Sequence, residues 1–316
     1  MDKNHAAHGV WAGRLLRETG KVIVGKERVL LWVAAALLAG GHILLEDVPG
    51  VGKTTLALAL SRALELDCSR MQFTPDVLPS DVTGYSVLTP AGDTVYRPGA
   101  VLCNLFLADE LNRASSRTQS ALLEAMEEGQ VTVDGVSHPI PKPFTVLATQ
   151  NPPGASGTQP LPDSQMDRFL IRLSLGYPTA EDERAMVRDR LGRNPLDDVA
   201  RVSTREELIA LRQQTAATYM DDAVVDYLVR LIAATRSEPL LSRGASPRGT
   251  LALASLSRAV ARLRGRDYTV PSDVQEAFPA AIAHRVVLTA AAQADGVSPE
   301  ALLKNILERT AAPRLR

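Results

Sequence analysis

The 316-residue chain is poor in cysteine, in aromatic residues and in excess charge of either sign. It has 2 cysteines and no apolar leader at its start, so a disulfide-rich secreted scaffold is excluded and a cytoplasmic location is expected. The 35 Lys and Arg residues balance 36 Asp and Glu residues, which leaves no overall basic field to attract nucleic acid. The 5 histidines show no metal-binding spacing.

Long hydrophobic runs are also missing. The most apolar stretch, Val29 to Ala39, is too short to cross a bilayer, so we predict no membrane span. With 45% apolar and 22% charged residues, the composition is that of an ordinary globular protein, and disorder of the whole chain is excluded. The length favours two domains, because one hydrophobic core seldom grows beyond about 250–300 residues.

Short apolar runs alternate with helical patterns in the first half of the chain. This alternation predicts a parallel sheet that is covered by helices on both faces. Three helices are predicted in this half of the chain. The first covers about 1–20, the second covers about 26–39 and ends at Gly40, and the third follows the first strand and its loop and ends near 64. The five predicted strands are Ile43–Glu46, Ser69–Phe73, Leu105–Ala108, Phe144–Thr149 and Phe169–Leu173.

Two predicted β-hairpins interrupt this pattern. The first joins Tyr85–Leu88 to Thr94–Tyr96. The second joins Val131–Val133 to Val136–His138 through Asp134-Gly135, a strong signal for a two-residue hairpin loop. Antiparallel hairpins inserted into a parallel α/β pattern often carry contacts to partners.

The strand patterns stop after Gly176, and helical patterns fill the remainder of the chain. We therefore predict an all-α second domain. Its helices are expected near 179–192, 204–217, 221–236, 248–264, 272–284 and 298–309.

The first strand opens into a glycine-rich loop at the start of a helix. The loop is Asp47-Val48-Pro49-Gly50-Val51-Gly52-Lys53-Thr54-Thr55. Glycine N–H groups and a helix N-terminus bind phosphate, Lys53 can reach the β- and γ-phosphates, and the Thr54 hydroxyl can bind Mg²⁺. Asp47 stands where such loops usually have glycine, and a chance Gly/Lys loop is the alternative interpretation.

The third predicted strand ends in two carboxylates, Asp109 and Glu110. Unpaired buried charge is costly, but beside a phosphate loop the pair has a use. Asp109 can hold Mg²⁺ and Glu110 can accept a proton from an attacking water, whereas a generic acidic strand end is the alternative. At the end of the next strand, the Asn151 amide can orient that water, or Asn151 can simply begin a turn at Pro152.

Two arginines are candidates for binding an anion. Arg248 lies in the first turn of a predicted helix, where the helix dipole disfavours a cation, and Gly249 after it is a poor helix former. These two unfavourable choices suggest an anion partner, and an ordinary surface arginine is the alternative. Arg168 can pair with Asp167 or another nearby acid, or it can act as an arginine finger toward a neighbouring subunit.

Taken together, these motifs resemble those of the AAA+ ATPases and, within them, the MoxR family. The resemblance covers about residues 20–290, and Asp47 in the phosphate loop is itself MoxR-like. The matching segments are Leu44–Thr54, Gln72–Gly84, Asp109–Ala114, Ala148–Pro152, Leu161–Phe169 and Ser246–Gly249. The resemblance implies an α/β AAA+ core with a parallel five-stranded sheet and hairpin inserts, followed by a smaller all-α lid. The expected divisions are an N-terminal helical segment at 1–19, the core at 20–177 and the lid at 178–316.

The resemblance also implies ATP and Mg²⁺ as ligands. Lys53 and Thr54 correspond to the Walker A pair, and the whole loop from Asp47 to Thr55 is expected to bind the nucleotide. Val24-Gly25 is similar to the segment that packs around adenine. Thr54 and Asp109 are expected at the metal.

Catalytic roles follow from the same resemblance. Asp109 and Glu110 correspond to Walker B, with Glu110 as the base, and Asn151 corresponds to sensor 1. Arg168 corresponds to the arginine finger and Arg248 to sensor 2. Two residues are weak candidates for coupling the base to the bound ligand: Gln72 and Thr74.

MoxR proteins are regarded as chaperone-like ATPases that form ring hexamers. They often act with partners that carry von Willebrand factor A domains, in the maturation of metal-dependent enzymes and complexes. The resemblance thus implies ATP-driven remodelling of a protein partner. The alternatives are a nucleic-acid motor or loader, a metal-chelatase-type motor subunit, and a nucleotide-gated scaffold with little turnover. The near-neutral charge and the non-basic hairpin tips argue against nucleic acid, and the intact catalytic motifs argue against the scaffold.

Overall fold

The computed structural model of the chain describes residues 7–151, 161–189 and 194–314. Three predictions fall partly outside the described residues: the first residues of the N-terminal helix, the turn at Pro152, and the end of the helix predicted at 179–192. The helices are α1 (Ala7–Gly20), α2 (Glu27–Ala39), α3 (Lys53–Leu64), α4 (Pro79–Thr83), α5 (Ser116–Glu128), α6 (Asp163–Met166), α7 (Ala180–Asp189), α8 (Arg205–Ala216), α9 (Asp222–Arg236), α10 (Pro247–Leu263), α11 (Pro271–Ile282), α12 (Ala290–Ala294) and α13 (Pro299–Arg309). The strands are β1 (Ile43–Glu46), β2 (Cys68–Gln72), β3 (Gly84–Leu88), β4 (Thr94–Pro98), β5 (Leu105–Asp109), β6 (Gln130–Val133), β7 (Val136–Pro139), β8 (Thr145–Gln150), β9 (Ile171–Leu173), β10 (Tyr219–Met220), β11 (Leu241–Arg243), β12 (Tyr268–Thr269) and β13 (Val287–Leu288).

The five predicted strands form one parallel sheet, which confirms the predicted fold class. Its strand order is β2-β5-β8-β1-β9. Alternate residues of each strand enter two separate hydrophobic clusters: Leu107 faces the cluster that holds α2 and α3, and Phe106 faces the cluster that holds α5. Both faces are therefore buried at the three central strands, β5, β8 and β1, which explains why these strands are nearly continuous apolar runs, whereas the edge strand β2 is partly exposed and polar.

Because the strands are parallel, their carboxyl ends meet at one edge of the sheet. Gln72 lies opposite Asp109, and Leu45 lies opposite Thr149. The glycine-rich loop leaves β1 at this edge, and Gly50 and Gly52 adopt positive φ values of 88° and 100° that a side chain would disfavour. The polar strand ends and the phosphate loop thus lie together.

Both predicted hairpins are present. β3 pairs with β4 and β6 pairs with β7, each antiparallel. The two hairpins contact each other, since the rings of Tyr96 and His138 stack with their centroids 3.6 Å apart. The inserts therefore form one joined projection on the face of the sheet that α5 covers.

The second half of the chain is mainly helical, as predicted, and its long helices match their predicted spans to within a few residues. The prediction that strands end after Gly176 is wrong in detail. β10 pairs with β12 and β11 pairs with β13. These strands are only two or three residues long, so no alternating pattern could reveal them. No helix within the described residues is long and apolar enough to cross a membrane.

The hydrophobic core is continuous between the two halves of the chain. A single cluster holds residues of α1, α2 and α3 together with residues of α8 to α11 and α13. Polar contacts reinforce the junction: the partly buried guanidinium of Arg212 on α8 donates to Leu37 O at the end of α2 and to Thr145 Oγ1 on β8, both at 2.7 Å. In the same cluster, α11 packs on the edge strand β9.

Candidate functional site

A polar cavity of about 350 Å³ lies at the carboxyl edge of the sheet. Its wall combines the phosphate loop, the start of α3 and the ends of β2 and β5. The lining residues are Pro49, Gly50, Gly52, Lys53, Thr54, Thr55, Arg70, Gln72, Asp109 and Glu110. Most of the residues predicted to bind phosphate and metal therefore share one cavity.

Lys53 is the first residue of α3, so its ammonium group and the helix N-terminus face the same cavity. Its Nζ donates to Asp47 O at 2.7 Å and to Val48 O at 3.3 Å. Burial lowers the pKa of Lys53, while the carboxylates of Asp47, Asp109 and Glu110 oppose that shift. An anionic ligand would add to the opposing charge and would stabilise the ammonium form.

Asp109 is held from two sides. Its Oδ1 accepts a hydrogen bond from Thr149 Oγ1 at 2.7 Å, and its Oδ2 accepts one from Arg70 Nη2 at 2.9 Å. The Glu110 N–H donates to the same Thr149 hydroxyl oxygen at 2.8 Å. One threonine thus fixes both carboxylate residues against the neighbouring strand.

Glu110 has a positive φ of 55°, which is unusual for a residue with a side chain and sets the direction of its carboxylate. The carboxylate accepts from Arg113 Nη1 at 2.9 Å and from Asn151 Nδ2 at 3.3 Å. The hydrogen bond from Arg113 is the main cause of a lowered pKa of Glu110, which keeps this group ionised. The structure therefore brings Asn151 to the candidate base.

The sequence analysis missed two arginines at this site, Arg70 and Arg113. Arg70 lies two residues before Gln72 on β2, so strand alternation places both side chains on the side of the cavity. Arg113 follows Glu110 by three residues in a short 3₁₀ turn. These spacings were the available signals. Of the two weak coupling candidates, Gln72 lines the cavity and Thr74 does not.

The donors at the predicted metal position suit Mg²⁺. Thr54 and Asp109 offer a hydroxyl and a carboxylate oxygen in the same cavity wall. Among the described residues, no group of three or more His, Cys, Asp or Glu side chains could hold a metal by itself. Such a sparse set fits an ion that takes its remaining ligands from water and a substrate phosphate, which is the usual arrangement for Mg²⁺.

A second cavity of about 140 Å³ adjoins the first along the loop. Predicted Val24 is in its wall, and Ile23, Pro178 and Met186 are wall residues that the sequence analysis missed. The full lining is Val22, Ile23, Val24, Lys26, Gly50, Val51, Gly52, Thr55, Gly176, Pro178 and Met186. Its apolar and backbone-rich wall suits a flat base at the far end of a bound phosphate chain.

Three residues predicted to bind the nucleotide lie outside both cavity walls: Gly25, Asp47 and Val48. Gly25 has a φ of 72°, and a Cβ there would lie 2.3 Å from Asp182 Oδ2, so this glycine permits a close approach to α7. The Asp47 carboxylate is directed at the segment after β9. Gly25 and Asp47 therefore contact segments that surround the cavities and do not line the cavities themselves.

Arg168 and Arg248 line neither cavity of their own chain. Both bind the carboxylate of Glu127 at the end of α5; for Arg168 the Nε–Oε2 distance is 3.1 Å. The alternative pairing of Arg168 with Asp167 is not formed. Asp167 instead binds buried Arg285, with Nε–Oδ1 at 3.0 Å, and accepts from Ser246 Oγ.

Gly249 has a packing role that the sequence interpretation did not include. A Cβ at this position would lie 3.2 Å from Arg285 Cδ, so glycine makes room for the buried arginine. The glycine therefore no longer counts as a sign of an anion beside Arg248. The argument for an anion partner of Arg248 now rests on its position beside Arg168 on the same surface.

Comparison with known proteins agrees with this architecture. Residues 42–171 match the family described as "ATPase family associated with various cellular activities (AAA)", and residues 233–306 match the "AAA lid domain". The chain is 43% identical to protein YeaC of Bacillus subtilis, over 95% of this chain and 94% of the relative. It is 39% identical to "Chaperone MoxR1" of Mycobacterium tuberculosis, over 96% and 82%. A crystal structure from Cytophaga hutchinsonii superposes with a TM-score of 0.89 at 33% identity, over 99% and 98% of the two chains.

Proposed function

Because the chain belongs to the MoxR family of AAA+ ATPases, we propose that it binds Mg²⁺-ATP and hydrolyses it to ADP and phosphate in a ring of identical subunits. The observation that carries this proposal is the cluster at the sheet edge, where Lys53, Asp109 and Glu110 line one cavity and Asn151 contacts Glu110. A cation for phosphate, a carboxylate for metal and a carboxylate base are the parts that phosphoryl transfer to water requires.

In the proposed reaction, the phosphate loop and Lys53 hold the triphosphate, and the adenine ring lies in the second cavity. Thr54 and Asp109 would hold Mg²⁺, which neutralises phosphate charge when it is bound. Glu110 accepts the proton of the attacking water. Asn151 is suited to orient that water, because its Oδ1 is buried and has no hydrogen-bond partner among the described residues.

Arg168 and Arg248 complete the site from a neighbouring subunit in this proposal. They share Glu127 on a surface away from the cavity of their own chain. Two guanidinium groups on one surface are suited to bind the γ-phosphate of the next subunit. This arrangement supports a ring, for which a hexamer is the family's expected form, with both arginines acting in trans.

The work done with ATP is proposed to be chaperone-like remodelling of a protein partner in the cytoplasm, with a von Willebrand factor A domain protein as the expected partner. The relative named "Chaperone MoxR1" supports the chaperone part of this proposal. The hairpin tips support a protein over nucleic acid, because Asp93 and Asp134 stand at the turns and add negative charge there.

The test is a pull-down with the Glu110→Gln protein, which should bind ATP and hydrolyse it slowly. A von Willebrand factor A protein should co-purify more strongly in ATP than in ADP, as measured by quantitative mass spectrometry. Wild-type protein with ADP is the control. Recovery of only nucleic-acid-binding proteins, or stimulation of the ATPase by DNA, would favour the nucleic-acid motor. Recovery of chelatase subunits would favour the metal-chelatase alternative.

A further inference from the structure

Asp47 occupies the first position of the phosphate loop, where glycine is usual, and it is 5% exposed. A buried carboxylate is costly unless hydrogen bonds compensate it. Here three donors do so. Ser174 Oγ donates to Oδ1 at 2.7 Å, Gly176 N–H donates to Oδ1 at 3.0 Å, and Leu175 N–H donates to Oδ2 at 2.6 Å.

These three donors belong to one short segment, Ser174–Gly176, which leads from β9 toward α7. We name it the linker. Gly176 is in the wall of the second cavity, and Pro178 and Met186, which follow the linker, are in that wall as well. The linker therefore determines where one side of the second cavity lies relative to the phosphate loop.

The backbone of Asp47 contacts a residue in the wall of the first cavity, Lys53. Its carbonyl oxygen accepts the Lys53 ammonium group at 2.7 Å. Asp47 thus contacts the phosphate-binding Lys53 through its main chain and the wall of the second cavity through its side chain. The two cavities also share Gly50, Gly52 and Thr55, so their relative position is set at the loop.

We propose that Asp47 is a positioning residue that fixes the linker on the phosphate loop and thereby gives the site its selectivity for adenine. The inference rests on the proposed nucleotide binding. A wall that is held in place before the ligand binds costs less ordering when the base enters, and only a base that fits gains from it. Asp47 acts through the linker and need not touch the ligand.

The proposal is tested by titration calorimetry with Asp47→Asn, which keeps the size of the side chain. One amide cannot accept from all three linker donors, because its NH₂ group faces at least one of them. We use three probes in Mg²⁺ buffer: ATP, GTP and inorganic tripolyphosphate. Affinity for ATP should fall about tenfold, a loss of about 1.4 kcal/mol, whereas affinities for GTP and tripolyphosphate should stay within about twofold. The ratio of the ATP affinity to the GTP affinity should therefore fall several-fold.

Two further variants keep the test informative. Asp47→Gly restores the residue that most phosphate loops carry and should lose selectivity in the same way. Asp221→Asn changes an aspartate that accepts the Ala223 N–H in a helix cap far from the site, and it should leave all three affinities unchanged. Hydrogen exchange at Leu175 and Gly176 should accelerate in both Asp47 variants and not in the Asp221 variant.

Equal weakening of ATP and tripolyphosphate would overturn the proposal, because it would mean that Asp47 only shapes the phosphate loop. Unchanged ATP selectivity in both Asp47 variants would overturn it as well. A wild-type protein that binds ATP and GTP equally would refute the selectivity and leave the proposed ATPase function intact. A wild-type protein that binds neither ATP nor tripolyphosphate would refute the proposed function and, with it, this inference.

Discussion

Arg168 and Arg248 lie side by side because both of their guanidinium groups bind the single carboxylate of Glu127. These arginines come from different halves of the chain, and Glu127 joins them at the end of α5. The hydrogen bond from Arg168 is the main cause of a lowered pKa of Glu127, so the carboxylate stays charged near neutral pH. The surface therefore presents two positive charges against one negative charge, which favours an incoming anion.

The first prediction concerns Arg168. Arg168→Ala should keep most of its ATP affinity and lose most turnover, by up to about 10³-fold, because a γ-phosphate in the next subunit loses its cation. Lys53→Ala should lose ATP binding instead. When the two inactive proteins are mixed, a Lys53→Ala chain can supply Arg168 to a neighbour with an intact phosphate loop. Steady-state ATPase measurements across mixing ratios should show partial recovery.

Subunit exchange must first be shown with labelled chains. Arg201→Ala, which removes an exposed arginine that pairs with Glu65, is the matched control and should keep full turnover without a partner. If exchange is complete and no mixing ratio recovers activity, Arg168 does not act across a subunit border.

The second prediction concerns Glu110. Glu110→Gln keeps the shape of the side chain and loses the proton acceptor, so turnover should fall by about 10²–10⁴-fold while ATP affinity stays within a few fold. Single-turnover hydrolysis and equilibrium binding measure the two quantities separately. Near-normal hydrolysis by this variant would assign the base to another group.

The third prediction concerns the buried pair of Arg285 and Asp167. Arg285→Met should lower the free energy of unfolding by about 3–5 kcal/mol, because it leaves the Asp167 carboxylate without its buried counter-charge. Urea denaturation followed by circular dichroism measures this change. For comparison, Arg201→Gln breaks an exposed pair and should cost less than about 1 kcal/mol. Equal effects of the two substitutions would contradict the role of Arg285 at the junction.

The fourth prediction is a pH dependence from buried histidines. His42 accepts the Val146 N–H at Nδ1 and lies 3.1 Å from Met126 O through Nε2, an arrangement that fits the neutral ring. Burial lowers the pKa of His42 to about 4 and lowers that of His284 in the same direction. The unfolded chain therefore binds more protons below pH 6.5, and stability should fall as the pH drops from 6.5 toward 4.

For His42 alone, the loss over this window is about 3 kcal/mol. The His42→Gln protein should be less stable at pH 7 and should show a flatter decline between pH 6.5 and 4, since one titrating group is gone. Urea unfolding at pH 7, 6 and 5 gives the slopes. The same slope in both proteins would exclude His42 as a source of the acid sensitivity.

Local sequence signals were sufficient to predict much of the fold. Gly40 ends α2 with a φ of 72°, as its position after an apolar helix predicts, and the glycine-rich loop places Lys53 at the first position of α3. The central strands β1, β5 and β8 were detectable because both faces of the sheet are buried there, which makes each of them a short apolar run. The Asp134-Gly135 turn closes the second hairpin for a similarly local reason.

Contacts between distant residues were beyond such signals. Nothing near Arg168 in sequence indicates Glu127 as its partner, and Asp167, the nearest acid, binds Arg285 instead. Likewise, the linker's hydrogen bonds to Asp47 depend on β1 and β9 being neighbours in the sheet. The motif resemblance predicted which residues carry the chemistry, whereas their contact partners are determined by how the strands and helices pack.

The packing of α11 on β9, together with the Asp167–Arg285 pair, also determines how the protein can be dissected. A truncated protein that ends near residue 177 would lack both α11 and Arg285. The sheet edge at β9 would then be uncovered, and the Asp167 carboxylate would lose its cation. Exposed edges pair with other chains, so this fragment would aggregate when expressed alone. The predicted boundary near residue 177 therefore does not separate two folding units, and we expect that deletion of the helical half would leave no stably folded protein.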